Sequence, residues 1–341
     1  MSAALPSFCT NTPIVQHLQR CNESPSPREF EVHLAKKDDM NNNGETSDPQ
    51  PCLGPDRIWA IGIGIDGYPS YPLRGCVADA LAIKQYYIED LLVPKERIEH
   101  LLRPANDSDG STNDPIPSRK NILSALRNTI TNPDIKYGDP IIIFFAGHGS
   151  RYPLSDDDYD PDFFDGPRSG AFVPDITDRE INTILSQISR TKGHRITFIL
   201  DCCHAGSVTR ALSPGLGVRS APPLECTSIK DMLLVADENL EDLPGCQSVV
   251  SEDWVPDMDS HVIVAACRGD EVVKARRVKG TKVWAGIFTS SLVTVLKSGG
   301  LGEGATYVDL IDALPRPSFP NHSQTPTVAG RRKDKRLWYQ D

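Results

Sequence analysis

Asp139–Ser150 (DPIIIFFAGHGS) and Arg195–Ser207 (RITFILDCCHAGS) decide the fold. Each is an apolar run without polar/apolar alternation, the pattern of a strand buried on both faces of a sheet. Each ends abruptly in a polar cluster carrying glycine. Working outward, Arg57–Ile65 (RIWAIGIGI) is a third such strand, Arg97–Arg103 (RIEHLLR) a shorter one, and His261–Cys267 (HVIVAAC) a fifth. Helical stripes lie between them: Ala80, Ile83, Tyr87 and Leu91; then Ile122, Leu126 and Ile130 behind a Ser118 N-cap. Ile181, Ile184, Leu185 and Ile188 follow Thr177 and Glu180, which have capping-box spacing. Ala285–Ser298 and Tyr307–Leu314 read as two further helices, and Arg336–Tyr339 as a last edge strand. Strands alternating with helices at these intervals predict a mainly parallel α/β sheet covered by helices on both faces.

The organisation expected is a disordered arm over residues 1–56, rich in Asn, Ser, Pro and Asp, followed by one domain over 57–341. Within that domain, residues 208–259 lack periodicity and read as a long exposed loop, and Asp156–Gly166 as a shorter acidic one.

Composition narrows the function classes. The 341 residues are 39% hydrophobic and 24% charged, with a formal net charge of −10. An acidic chain without a basic face is not expected to bind nucleic acid. No apolar run is long enough to span a bilayer, and the start lacks the basic stretch and apolar core of a signal peptide. A cytoplasmic monomer with no membrane partner is therefore expected. Nine cysteines without CxxC pairing or zinc-ligand spacing read as free thiols in a reducing compartment.

The chemistry lies at the strand ends. In open parallel sheets, sites form beyond the carboxyl ends of the strands. Ala146–Ser150 and Asp201–Gly206 therefore point to one edge, and a thiol and an imidazole there can form a nucleophile–base pair. Nucleotide binding and serine hydrolysis find no support, since GxxxxGK[ST], GxGxxG and GxSxG are absent from the expected places.

FFAGHGS followed by ILDCCHAGS resembles the His and Cys motifs of the caspase/metacaspase family of cysteine peptidases. LRGCVADA (Leu73–Ala80), VPDITDREI (Val173–Ile181) and HVIVAACRGDE (His261–Glu271) are similar to further metacaspase segments. The resemblance covers Arg57 to the C-terminus and implies a caspase-like three-layer sandwich. It assigns Cys203 as nucleophile, with Cys202 in the variable slot, and His148 as base; His204 belongs to the turn. It implies an oxyanion hole of the Gly149 and Cys203 N–H groups, and an S1 pocket of Asp201, Asp79 and Cys76. Such a pocket selects Arg or Lys at P1. Polypeptides are then the substrates, and no cofactor is expected. Only Asp178 matches the family's calcium ligands, while Arg179 and Arg210 stand where carboxylates are common. A catalytically silent regulatory or scaffold module is the alternative reading. The 208–259 segment starts beside the nucleophile and offers basic residues for that pocket, so the enzyme is expected to cut itself there, after Arg219 or Lys230.

Overall fold

The computed structural model describes residues 8–10, 54–105, 115–152, 173–203, 218–221, 229–268, 271–319 and 322–339. Six strands form the central sheet: β1 (Trp59–Ile65), β2 (Ile98–Arg103), β3 (Ile141–Ala146), β4 (Ile196–Asp201), β5 (Val262–Ala265) and β6 (Thr327–Ala329). Their order is β6-β5-β4-β3-β1-β2, all parallel except β6. Every residue of β3 and β4 is buried, as their unbroken apolar sequences require.

The helices are α1 (Cys76–Glu89), α2 (Arg119–Thr131), α3 (Asp178–Lys192), α4 (Ile229–Leu240), α5 (Ile287–Lys297) and α6 (Tyr307–Ala313). The order runs outward from β1 to β2, then back across it to β3 and β4. Right-handed crossovers therefore put α1 on one face and α2 and α3 on the other. α5 packs on α1, and α4 on α3. The result is the expected three-layer α/β sandwich. The reversal of strand order beside β1 opens a crevice at the carboxyl ends, where such sheets hold their sites.

Local signals account for the helix starts. Ser118 accepts from the Asn121 N–H at 3.2 Å, and Thr177 from the Glu180 N–H at 3.1 Å. Glu180 does not close the capping box; its carboxylate takes both oxygens to Arg119, at 2.7 and 2.8 Å, in a buried pair joining α3 to α2. α1 begins at Gly75, which has no side chain, so the cap comes from the end of β1. Asp66 accepts from the N–H groups of Cys76 and Val77 at 2.8 and 3.3 Å.

Three expectations are corrected. Residues 208–259 are not one exposed loop, because α4 lies within them and Val218–Ala221 is a docked segment with Arg219 fully buried. The arm over 1–56 contains a strand at Phe8–Thr10. The last core strand is β6; Leu337–Tyr339 is instead a turn in which Trp338 packs among Tyr86, Tyr87 and Tyr307. Burying an indole against three rings outweighs pairing a three-residue edge. The acidic segment at Asp156–Gly166, Arg210 and His204 lie outside the described residues. Among the described residues, no helix is long and apolar enough to cross a membrane.

Candidate active site

Register sets the site. Gly64, Ala146 and Asp201 stand level across β1, β3 and β4. His148 and Cys203 each lie two residues beyond that row, so the adjacent strands deliver both to the same edge. Both are buried. Nε2 of His148 lies 2.6 Å from the Tyr71 carbonyl oxygen, a contact that requires a proton on Nε2. Nδ1, buried and without a partner, is left as the basic lone pair. The Tyr68 hydroxyl accepts from the His148 backbone N–H at 3.1 Å, and its ring lies against the imidazole. The Cys203 sulfur accepts from the Val273 N–H at 3.0 Å.

The chain's own Val218–Ala221 segment fills the space between them. The Arg219 carbonyl oxygen accepts from the N–H groups of both Gly149 and Cys203, at 3.1 and 3.3 Å. Its own N–H donates to the Val273 carbonyl at 3.1 Å, and Val218 pairs antiparallel with Lys274. Beyond Arg219, Ser220 pairs parallel with Gly149, and the Ala221 N–H donates to the Gly149 carbonyl at 3.2 Å. The guanidinium enters a closed acidic pocket. Nη2 pairs with Asp79, and Nη1 with Asp201 at 2.8 Å. Gly286 N–H donates to both Asp79 oxygens at 2.9 Å, and the Thr289 hydroxyl donates to Asp201.

Residues 59–211 match the family model "Metacaspase, peptidase C14 domain". These residues are similar to a metacaspase-type peptidase domain. The chain is 31% identical over 151 residues to Metacaspase-4 of Arabidopsis thaliana, covering 44% of this chain and 34% of that protein. It is 27% identical over 284 residues to Metacaspase-1A of Aspergillus clavatus, covering 77% and 59%. Among solved structures it is similar to caspase-1 from Spodoptera frugiperda, with 10% identity, 85% and 94% coverage and a TM-score of 0.43. The chain thus spans less than two thirds of the length of these curated relatives.

The residues expected from the motifs converge. Gly149, Cys203, Asp79 and Asp201 all meet Arg219, and His148 stands next to Gly149 at the same sheet edge. Cys76 is buried with them, and burial pushes its thiol up. Cys202 is also buried, with its thiol raised by burial. Lys230 does not join them; it is exposed in the first turn of α4. Arg179 turns away, donating to the carbonyls of Val249 and Ser251 while its guanidinium stacks on Trp254. Among the described residues no group of His, Cys, Asp and Glu is arranged to hold a metal ion.

The docked segment sets the electrostatics. Burial lowers His148 to about 4 and pushes Cys203 up to about 12, so the resting pair is neutral imidazole and thiol. Burial raises Asp79 to about 7, opposed by the Arg219 charge and the Gly286 N–H.

Sequence reasoning missed Tyr71, Val273, Gly286 and Thr289. Three of these act through backbone groups, which carry no residue signature. Gly286 does have a discernible reason: a Cβ there would stand 2.6 Å from carboxylate oxygens of both Asp79 and Asp201. Gly149 is similarly constrained, since a Cβ would meet the Cys203 carbonyl at 1.6 Å.

Proposed function

We propose that this chain is a cysteine endopeptidase cleaving after Arg or Lys, and that its own Arg219–Ser220 bond is its first substrate. The observation carrying this reading is the double seating of Arg219, with its carbonyl between two N–H donors and its guanidinium between two carboxylates. That is how a substrate bond must sit for a thiol to attack it.

The chemistry follows from the groups present. The Cys203 sulfur attacks the Arg219 carbonyl carbon and its proton passes to Nδ1 of His148, whose Nε2–H remains on the Tyr71 carbonyl. The developing oxyanion stays on the Gly149 and Cys203 N–H groups. Collapse breaks the bond to Ser220 nitrogen, which takes the proton from His148 and leaves as an amine. Water then adds to the thioester, His148 accepting its proton, and releases the Arg219 carboxylate and the thiol. Until the segment departs it occupies the pocket, so the uncut chain excludes other substrates. Lys230, held in a helix, does not offer the extended backbone a protease binds, which leaves Arg219 as the preferred position.

Intact mass of purified wild type beside Cys203→Ala and Arg219→Gln tests the reading. Fragments ending at Arg219 and starting at Ser220, seen in wild type alone, are expected. Wild type left uncut and inactive on Arg peptides would make the docked segment a permanent plug, the mark of a silent module.

A further inference from the structure

Gly149–Arg151 has two edges, and both are occupied. On one edge, the N–H and carbonyl of Gly149 engage Arg219 and Ala221. In a strand, alternate residues direct their backbone polar groups to opposite sides. Those of Ser150, a fully buried residue, therefore face the other edge. There Phe8–Thr10 runs parallel, with Phe8 opposite Gly149, Cys9 opposite Ser150 and Thr10 opposite Arg151. The far side of Phe8–Thr10 pairs with Ile176–Thr177, which ends at the N-cap of α3. The segment is thus the middle strand of a three-stranded parallel sheet, inserted between the oxyanion donor and a helix anchored in the core.

Without it, the buried backbone groups of Ser150 lose their partners, at a cost comparable to a lost hydrogen bond each. Gly149–Arg151 would also lose its connection to Ile176–Thr177. We infer that Phe8–Thr10 is a positioning element of the peptidase site, filling a strand slot that fixes the Gly149 N–H and the track for residues following the cleaved bond. This rests on the peptidase reading above. It makes the N-terminal segment a condition for efficient turnover, although it lies more than forty residues before the sheet in sequence.

The test uses the full chain with Cys9→Pro, which removes a ladder N–H and does not fit a central strand, beside Cys9→Ala as control. An Arg peptide extending two residues past the cleaved bond is the substrate. Cys9→Pro is expected to lose at least about tenfold in kcat/KM, mostly in kcat, a part of the ~10²–10³ that a lost oxyanion donor costs. Cys9→Ala should match wild type. Hydrogen exchange at Gly149–Arg151 should quicken in Cys9→Pro and stay unchanged in β1 and β4. Adding a synthetic peptide of residues 4–13, which contains no Arg or Lys to be cut, should restore turnover by strand addition. Wild-type turnover by Cys9→Pro, or unaltered exchange at Gly149–Arg151, would overturn the inference. An inactive wild type would instead remove the peptidase reading, and the exchange measurement would still report whether the strand forms.

Discussion

Nε2 of His148 points at the Tyr71 carbonyl from 2.6 Å, and this contact decides which imidazole nitrogen is basic. A backbone carbonyl can only accept, so the proton stays on Nε2 and Nδ1 keeps the free lone pair. Because the acceptor is main chain, Tyr71→Ala should leave kcat within a few fold of wild type. His148→Ala and Cys203→Ala should each lower kcat by at least ~10³, as losses of a nucleophile or its base generally do. Cys202→Ala should stay near wild type. Peptide hydrolysis by the purified variants, with circular dichroism as the folding control, checks all four.

The pH dependence of self-cleavage follows from burial of His148. The imidazole must be neutral to accept the thiol proton, and in the docked state its value is lowered to about 4. Single-turnover cutting of Arg219–Ser220 should therefore persist well below pH 6.5 and fall only as pH approaches 4. A decline centred on the ordinary histidine value would show that water reaches the imidazole before cutting.

The pocket should prefer Arg over Lys. A guanidinium presents separate nitrogens to Asp79 and Asp201, whereas an ammonium offers one point charge. An ionised Asp79 binds either more tightly, and its value is about 7 even beside Arg219. KM for Arg peptides should thus fall as pH rises through and above 7, and Asp79→Asn should abolish that dependence. Gly286→Ala, placing a methyl against both carboxylates, should raise KM for Arg peptides at least tenfold, on the order of one lost charge-assisted contact.

Arg219 also stabilises the uncut fold. Arg219→Gln in a Cys203→Ala background leaves Asp79 and Asp201 buried without their cation, a change that costs about 3–5 kcal/mol. Asp79, which burial already raises to about 7, rises further without the cation, so folding favours its protonated form. The deficit should therefore be smaller at pH 5 than at pH 8. Urea unfolding of the two proteins at both pH values measures it.

Chelation should change turnover little. Arg179 stands at a position where the family commonly carries a carboxylate, and its charge is committed to the Val249 and Ser251 carbonyls and the Trp254 ring. Calcium requires six or more oxygen ligands, which a neighbouring guanidinium opposes. Rates with excess EGTA and with added calcium should agree within twofold, on the order of what a rate-neutral additive allows; strict dependence would show that ligands come from elsewhere in the chain.

The sequence by itself determined the strands that carry Ala146 and Asp201, since an unbroken apolar run of β-forming residues has few other places to go. It also determined the chemistry at their ends, because a thiol and an imidazole at two strand termini of one parallel sheet meet wherever the strands are neighbours. Helix starts at Ser118 and Thr177 were legible for the same local reason: a cap acts on an N–H three residues away. Tertiary structure alone decided what fills the acidic pocket, since Arg219 and Asp79 are 140 residues apart. No periodicity marks a short extended segment such as Val218–Ala221 or Phe8–Thr10, whose conformation comes from the strands beside it. The Tyr71 and Val273 contacts were equally hidden. They use backbone atoms that every residue possesses, and only folding brings them within reach of His148 and Cys203.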